Sequence, residues 1–459
     1  MKRKMRMVLA SVLAVASLAM SAGAASYDNC ADRLSDLGLF QGTGDGYELD
    51  RAPTRAEAAT MLVRLLGAEA EAQELEYTAP FTDLSDWQKP YVQYLYDNGL
   101  TNGATATTFE PEGACSAQMY TTFLLRALGY SDAAGGDFAY SGAVDFGESI
   151  GLVDIANCNE TNFLRDHVAA MSLTALNTAV KDDADTKLLE KLVADGAVEQ
   201  ATAADMLAFF DNYDAYVAAA AAMNDETRMD VSVDMSATVD MDGQQVMTLS
   251  MPMEMKMDMD LENMDQSQIS MTGTMNMTMD ESLVAEGEQS SVSQDVSYYY
   301  ADGVYYMDLG DQKVKMDMSF EDALAQMGDL ANMAESGTSE PICLIDSITT
   351  SGNSMTVTYS AAGMSNLVDE VLAGMGMDEQ TAGADFSMDD VTSSVTIENG
   401  AVSATSMTAV INMNVEGSAM TMNMSMDMEI NQTGDGVTVD VPDDLDTYTD
   451  IIGGADAAA

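Results

Sequence analysis

Basic residues are scarce in this chain: 18 Lys and Arg stand against 76 Asp and Glu in 459 residues, a formal net charge of −58. Nucleic-acid binding requires a basic surface, so this balance argues against such a partner. The single histidine, His167, excludes a multi-histidine metal site and weakens any triad that needs a histidine base. The four cysteines are too few for a disulfide scaffold and form no Cys-x-x-Cys pair, so we expect buried free thiols.

Enzyme motifs are also missing. The sequence contains no Gly-x-Ser-x-Gly, no P-loop, no His-Glu-x-x-His and no dinucleotide-binding glycine pattern. With 76 acidic residues, a pair of carboxylates spaced like those of a glycosidase carries no information without geometry. The sequence therefore predicts a protein that is not an enzyme and that needs neither a cofactor nor a metal ion.

Residues 1–25 have the pattern of a secretory signal peptide. Four basic residues precede an apolar run from Val8 to Met20, and Ala22-Gly23-Ala24 follows as a cleavage site. The run is shorter than the ~20 residues that a membrane span needs. We expect an exported protein without an integral membrane segment after cleavage.

Three segments, at about 26–68, 80–130 and 138–180, share one pattern of a helix, a glycine-containing loop and a second helix. Related tetrads open the second helices: Thr54-Arg55-Ala56-Glu57, Cys115-Ser116-Ala117-Gln118 and Leu164-Arg165-Asp166-His167. The first tetrad predicts a capping box between Thr54 and Glu57. His167 occupies the place of Glu57, which favours capping or packing over catalysis.

These residues resemble the S-layer homology (SLH) family. The resemblance rests on the first tetrad and on one series of residues in the second segment: Phe81-Thr-Asp83, Trp87, Gly99-Leu100, Gly103, Phe109-Glu-Pro111 and Leu128-Gly129. It implies three tandem units in an α-helical three-pronged spindle. It also implies non-covalent binding to the pyruvylated secondary polysaccharide on peptidoglycan.

The resemblance assigns the polysaccharide-binding residues. Arg55 matches the arginine that contacts the polymer, and Thr54, Glu57, Trp87 and Arg165 complete the set. In the second segment Ser116 stands at the arginine position, so that contact is expected to be lost. A guanidinium grips a carboxylate bidentately, which suits a pyruvyl ketal. Thr54 and Glu57 are expected to act mainly as helix caps.

The residues after the third segment predict a helical connector at 181–224 and a methionine-rich β domain at 225–459. The whole chain is therefore expected to be multidomain α + β. Apolar residues alternate strictly from Met229 onwards, typical of long antiparallel strands with one apolar face and one acidic, solvated face. Asp242-Gly243, Asp302-Gly303 and Asn399-Gly400 predict hairpin turns. Helices are expected at 320–334 and 361–375.

The layout of the β domain resembles the half-barrel of LolA-type lipoprotein carriers, which implies a strongly curved sheet with two covering helices. Two alternatives to a plain wall-anchored surface protein stay open. One is a carrier of a hydrophobic ligand such as a lipid. The other is copper(I) binding by Met-x-Met runs such as 251–257. The apolar stripe continues through valines and leucines, which favours core filling by methionine.

Overall fold

The computed structural model describes residues 27–450 except 45, 155, 225, 261–262, 283, 285–288, 311, 320–340, 362–383 and 416–417. The predicted signal peptide and the helices predicted at 320–334 and 361–375 lie outside the described residues, apart from Ala361. Among the described helices, none is long and apolar enough to cross a membrane. The chain divides into a helical unit, 27–213 with 341–346, and a sheet unit, 214–339 with 347–450.

The helical unit is built from short helices with glycine-containing turns. Its elements are α1 (Asp28–Asp36), α2 (Arg55–Leu65), α3 (Glu69–Glu74), α4 (Lys89–Asp97), α5 (Ala117–Ala127), α6 (Ala143–Ser149), α7 (Arg165–Asn177), α8 (Leu188–Ala194) and the start of α9 (Gln200–Asn224). The second helices of the three segments are α2, α5 and α7. They carry the core, and α7 is buried over nearly its whole length.

Helices of different segments pair with one another. The second helix α2 of the first segment packs against α4 of the second, and α5 of the second packs against α6 of the third. The last helix α7 packs back against α1 of the first segment, which closes the series. Each segment is therefore completed by its neighbour, and the junctions between segments are part of the core.

The connector differs from the prediction at its start. Residues 181–224 were expected to be helical, but β1 (Ala179–Val180) pairs with β2 (Asp183–Lys187) before α8 begins. Three aspartates crowd 182–185, and aspartate is a poor helix former that favours turns. The unit boundary near 213 also falls inside α9 rather than at its end.

One segment from beyond the connector belongs to the helical unit. Ile342, Cys343, Leu344 and Ile345 are all buried there, and their short 3-10 turn packs against α7. The Asn29 side chain donates to the Cys343 carbonyl at 3.0 Å. The predicted β domain at 225–459 is therefore interrupted, since 341–346 completes the helical core.

The sheet unit contains a twelve-stranded sheet that is antiparallel except for β14. Its strands are β3 (Arg228–Met241), β4 (Gln244–Asp258), β5 (Gln268–Met279), β6 (Ser291–Ala301), β7 (Val304–Asp308), β8 (Lys313–Asp317), β9 (Ile345–Ser351), β10 (Ser354–Tyr359), β11 (Ala384–Glu398), β12 (Ala401–Val415), β13 (Ser418–Thr433) and β14 (Thr449–Asp450). The order is β14-β8-β7-β6-β5-β4-β3-β13-β12-β11-β10-β9.

The predicted turns are confirmed. Both residues of Asp242-Gly243, Asp302-Gly303 and Asn399-Gly400 have positive φ, as a type I′ hairpin turn requires. The strong curvature of a half-barrel is not observed. In the order of the described strands β14 and β9 stand at opposite ends, and the sheet is neither closed nor strongly curled. Closure would need those two edges to pair.

Candidate functional site

The three second helices start at equivalent residues. Thr54, Ser116 and Leu164 are their N-caps. The predicted capping box is confirmed: Thr54 Oγ1 accepts from the Glu57 N–H at 3.2 Å, and Glu57 Oε2 accepts from the Thr54 N–H at 2.8 Å. Because Ser116 is a cap, the residue equivalent to Arg55 in the second segment is Ala117. The assignment of Ser116 to the arginine position was wrong by one residue.

Arg55 lies at the junction between the first and second segments. Its Nε donates to the Phe109 carbonyl at 2.8 Å, and its Nη1 lies 3.0 Å from the Met119 sulfur. The guanidinium carbon is 5.0 Å from the centre of the Phe109 ring. The residue is only 8% exposed. Arg55 is thus a junction residue and not a freely solvated charge.

Arg165 occupies the equivalent place between the third and first segments. Its Nε donates to the Tyr47 carbonyl at 2.9 Å, and its Nη1 lies 3.7 Å from the Met61 sulfur. It is 3% exposed. Both arginines therefore reach an aromatic residue's carbonyl and a methionine sulfur in the neighbouring segment.

The two loops that receive the arginines are also equivalent. We call 47–53 the first junction loop and 109–115 the second junction loop. Glu48 and Glu110 hold the same place in them, with φ of 52° and 60°. The backbone N–H of Arg55 donates to the Gly113 carbonyl at 2.8 Å, and that of Arg165 donates to the Arg51 carbonyl at 2.9 Å. Helices α2 and α7 therefore dock on the second and the first junction loop in the same way.

Arg51 is a charged residue at the first junction loop that the sequence reasoning missed. Its guanidinium donates to Glu57 at 2.6 Å and 2.9 Å and to Glu48 at 3.1 Å. Burial of Glu57 raises the pKa of its carboxyl. The hydrogen bonds from Arg51 and from the Thr54 N–H, together with the charge of the nearby Arg165, lower it by more, so the pKa falls to about 2. Arg165, Arg51 and Glu57 therefore form one charged cluster. Its signal in the sequence was a second arginine three residues before Thr54.

His167 caps α7, as expected. Its Nδ1 accepts from the Leu164 N–H at 3.0 Å, the bond that Glu57 makes in the first segment. Its ring stacks on Phe163 with centres 5.7 Å apart. Burial lowers the pKa of His167 to about 4, so the imidazole is neutral at pH 7 and carries its proton on Nε2.

Asp166 lies beside this cap and is also buried. Its Oδ1 accepts from the Tyr27 N–H at 2.6 Å, while its Oδ2 has no hydrogen-bond partner. Burial raises the pKa of Asp166 to about 7. Burial thus shifts both neighbouring residues towards their neutral forms in the folded protein.

Trp87 is the exposed residue of the predicted binding set. It is 52% exposed, just before α4. The next residue, Gln88, is buried and donates to Glu112 of the second junction loop at 2.8 Å. The bond between Gln88 and Glu112 therefore fixes the turn that carries Trp87 to the loop that receives Arg55.

Cys30, Cys115 and Cys343 are free and buried, as expected. Among the described residues no group of three or more His, Cys, Asp or Glu could hold a metal ion.

The sheet unit has a cleft of about 610 Å³ whose lining exposes polar and apolar surface in about equal parts. The lining residues are Asp230, Glu254, Lys256, Ser270, Thr272, Tyr299, Asn431, Asp440, Val441 and Pro442.

Comparison with known proteins identifies part of the helical unit. Residues 80–116 match the S-layer homology domain, SLH. The chain is 31% identical over 149 residues to a surface layer protein of Brevibacillus choshinensis, covering 30% of this chain and 13% of that protein. It is 32% identical over 151 residues to a middle cell wall protein of Brevibacillus brevis, covering 30% and 14%. An endoglucanase of a Bacillus species is 28% identical over 122 residues, covering 24% and 13%.

The chain thus spans about an eighth of the length of these relatives. It carries an SLH domain, and its relatives include surface layer and cell wall proteins. That relationship indicates a location at the cell surface.

Proposed function

We propose that the helical unit anchors this protein non-covalently to the cell wall by binding pyruvylated secondary polysaccharide. The observation that supports it most is the repeated junction, in which Arg55 and Arg165 start equivalent helices and use equivalent partners. In both side chains Nε and Nη1 are held by the protein, and Nη2 has no hydrogen-bond partner among the described residues. A guanidinium held in this way is oriented before the ligand arrives.

The chemistry of the junctions suits an acidic sugar. An arginine donates planar, charge-assisted hydrogen bonds to a carboxylate such as that of a pyruvyl ketal. Trp87 offers an exposed ring, an apolar surface on which a sugar ring packs. The large net negative charge repels an anionic polymer, but that repulsion is screened beyond ~8–10 Å at physiological salt. Local arginines therefore decide the contact.

The proposal includes no catalytic step, and we propose that the chain is not an enzyme. The endoglucanase relative aligns over 24% of this chain, while the surface layer protein aligns over 30%. An aligned part of similar size in a surface protein and in an enzyme is better explained by a shared anchor than by a shared active site.

Wall sedimentation tests the anchor. Purified protein is mixed with walls that retain the pyruvylated polymer or with walls stripped of it, and the bound fraction is measured after centrifugation. We expect pelleting only with the polymer. Arg55→Lys keeps the charge but loses the planar fork, so we expect roughly tenfold weaker binding. Lys89→Ala, which removes an exposed cation, is the control and should bind as the parent does.

Folding must be separated from binding in this test. Arg55 also holds the second junction loop, so each variant is first checked by its melting temperature. Glu57→Ala removes half of the capping box and is expected to lower stability with little effect on the binding of the folded fraction. Equal pelleting with both wall types, or full binding by a folded Arg55→Lys protein, would contradict the proposal.

The lipid-carrier alternative remains a prediction with less support. The cleft in the described sheet unit exposes polar and apolar surface in about equal parts and has four charged residues in its lining, whereas a lipid site is predominantly apolar. Native mass spectrometry of protein taken from its own host tests this alternative. A co-purified lipid in stoichiometric amount would revive it.

A further inference from the structure

The register of the sheet places four methionines side by side. Met407 of β12 is directly opposite Met426 of β13, Met426 is opposite Met235 of β3, and Met235 is opposite Met251 of β4. Directly opposite residues on antiparallel strands point to the same face, with Cβ atoms roughly 4.5–5.5 Å apart. We call these four residues the methionine row. It is a series of four neighbouring thioethers on one face.

The methionine row lies outside the most buried part of this face of the sheet. Four residues further along the same strands and on the same face lie Ile411, Met422, Val239 and Met247, which are directly opposite one another. All four are at most 3% exposed, and they form a buried row of two aliphatic residues and two methionines. The methionine row, in contrast, is half-buried, and every member is a thioether.

The row is also more compact than the Met-x-Met runs that the sequence displays. Alternate residues of one strand are separated by about 6.6–6.8 Å, since a strand rises about 3.3–3.4 Å per residue. Neighbouring strands lie about 4.7–4.9 Å apart. Sulfur atoms at the ends of flexible side chains therefore converge more readily across strands than along one strand. This arrangement depends on two strand pairings, β12 with β13 and β13 with β3. The second pairing joins distant parts of the chain.

We propose that the methionine row is a binding site for a soft monovalent metal ion, Cu(I) or its analogue Ag(I). Thioether sulfur is a soft ligand that prefers such ions to Zn²⁺, Mg²⁺ or Ca²⁺. A thioether has no proton to lose, so binding does not depend on ligand deprotonation. The acidic opposite face, where Asp234 and Asp427 are paired, supplies a negative potential that attracts a cation.

A competition titration with Cu(I) tests the site. Full-length protein competes with the chromophoric chelator bicinchoninate under anaerobic, reducing conditions. All proteins carry Cys158→Ala, because the partly exposed Cys158 thiol would also bind Cu(I). We expect one Cu(I) per chain to be withdrawn from the chelator. The double variant Met235→Leu/Met426→Leu, which removes the middle of the row at similar volume, should bind at least tenfold more weakly.

A matched double variant provides the control. Met277→Leu/Met424→Leu removes two methionines from the same face that have no methionine directly opposite: Met277 pairs with Leu249 and Val292, and Met424 pairs with Ala409 and Ala237. We expect its affinity to stay within twofold of the parent. Circular dichroism confirms that each variant keeps its sheet, and the single variants Met235→Leu and Met426→Leu replace the double variant if it does not fold.

A second measurement identifies the ligands directly. With ¹³C-methyl-labelled methionine, one equivalent of Ag(I) should shift the methyl signals that the row variants remove and leave those of Met277 and Met424 in place. Equal affinity of the two double variants would mean diffuse binding by many methionines and would overturn the proposal. So would failure of the parent protein to withdraw Cu(I) from the chelator.

Discussion

Replacing His167 by glutamine should change how the stability of the helical unit depends on pH. Glutamine at this position of a helix still accepts the Leu164 N–H that His167 Nδ1 accepts now. It cannot be protonated, however. In the parent protein the unfolded chain takes up a proton near pH 6.5, while the folded imidazole resists it until about pH 4 because of burial.

The size of the effect follows from the two pKa values. A pKa that is lower in the folded state leaves stability intact above pH 6.5 and removes it as the pH falls towards 4. The difference of about 2.5 units, at about 1.4 kcal/mol per unit, gives a His167 contribution of about 3 kcal/mol that is lost between pH 7 and pH 4. The His167→Gln protein should lack this loss, since all other groups are common to both proteins.

The single tryptophan and the single histidine of the chain make the assay specific. The chain has one tryptophan, Trp87 in the helical unit, so its fluorescence during urea unfolding reports on that unit. The chain has one histidine, so one imidazole signal in an NMR titration gives the folded pKa directly. A folded imidazole that titrates near pH 6.5, or the same pH dependence of stability in both proteins between pH 7 and pH 4, would refute the reasoning.

Three further outcomes are expected in the helical unit. The pKa of Asp166 is raised to about 7, so stability falls as the pH rises from about 4 to 7, and Asp166→Asn should flatten that part of a urea-midpoint profile. Gly103→Ala should lower the melting temperature, because φ is +74° and a Cβ would lie 2.2 Å from the Phe81 ring. A fragment 27–213 should melt higher when a peptide containing 341–346 is added, because that segment completes its core, while a scrambled peptide should have no effect.

The features that could be predicted from the sequence depend only on residues that are neighbours along the chain. Thr54 is a favoured N-cap and Glu57 stands three residues later, so the capping box forms from four neighbouring residues. The Asp-Gly and Asn-Gly hairpin turns depend on two residues each, because both need positive φ. Neither feature requires knowledge of distant parts of the chain.

The error at Ser116 was avoidable on the same physical grounds. Serine is a strong N-cap and cysteine is not, so the cap preference alone places Ser116 opposite Thr54 and Ala117 opposite Arg55. Residue similarity alone aligns Cys115 with Thr54 and Ser116 with Arg55 instead.

Other features depend on pairings that no local pattern reveals. The segment 341–346 joins the helical core through contacts with residues more than 300 positions earlier, such as Asn29. The methionine row requires the register of β13 with β3, whose partners are almost 200 residues apart. Alternation along a strand indicates which face a methionine occupies, but only register shows which methionines are neighbours.

Ala117 bears on the role of the two arginines. It holds the place of Arg55 and Arg165, yet α5, which it begins, is capped by Ser116 and still packs against α6 and α7. A helix of this unit can therefore be docked without a guanidinium at its first position. Packing alone therefore does not demand an arginine there. This supports our proposal that Arg55 and Arg165, each held by Nε and Nη1 with Nη2 left over, bind a ligand.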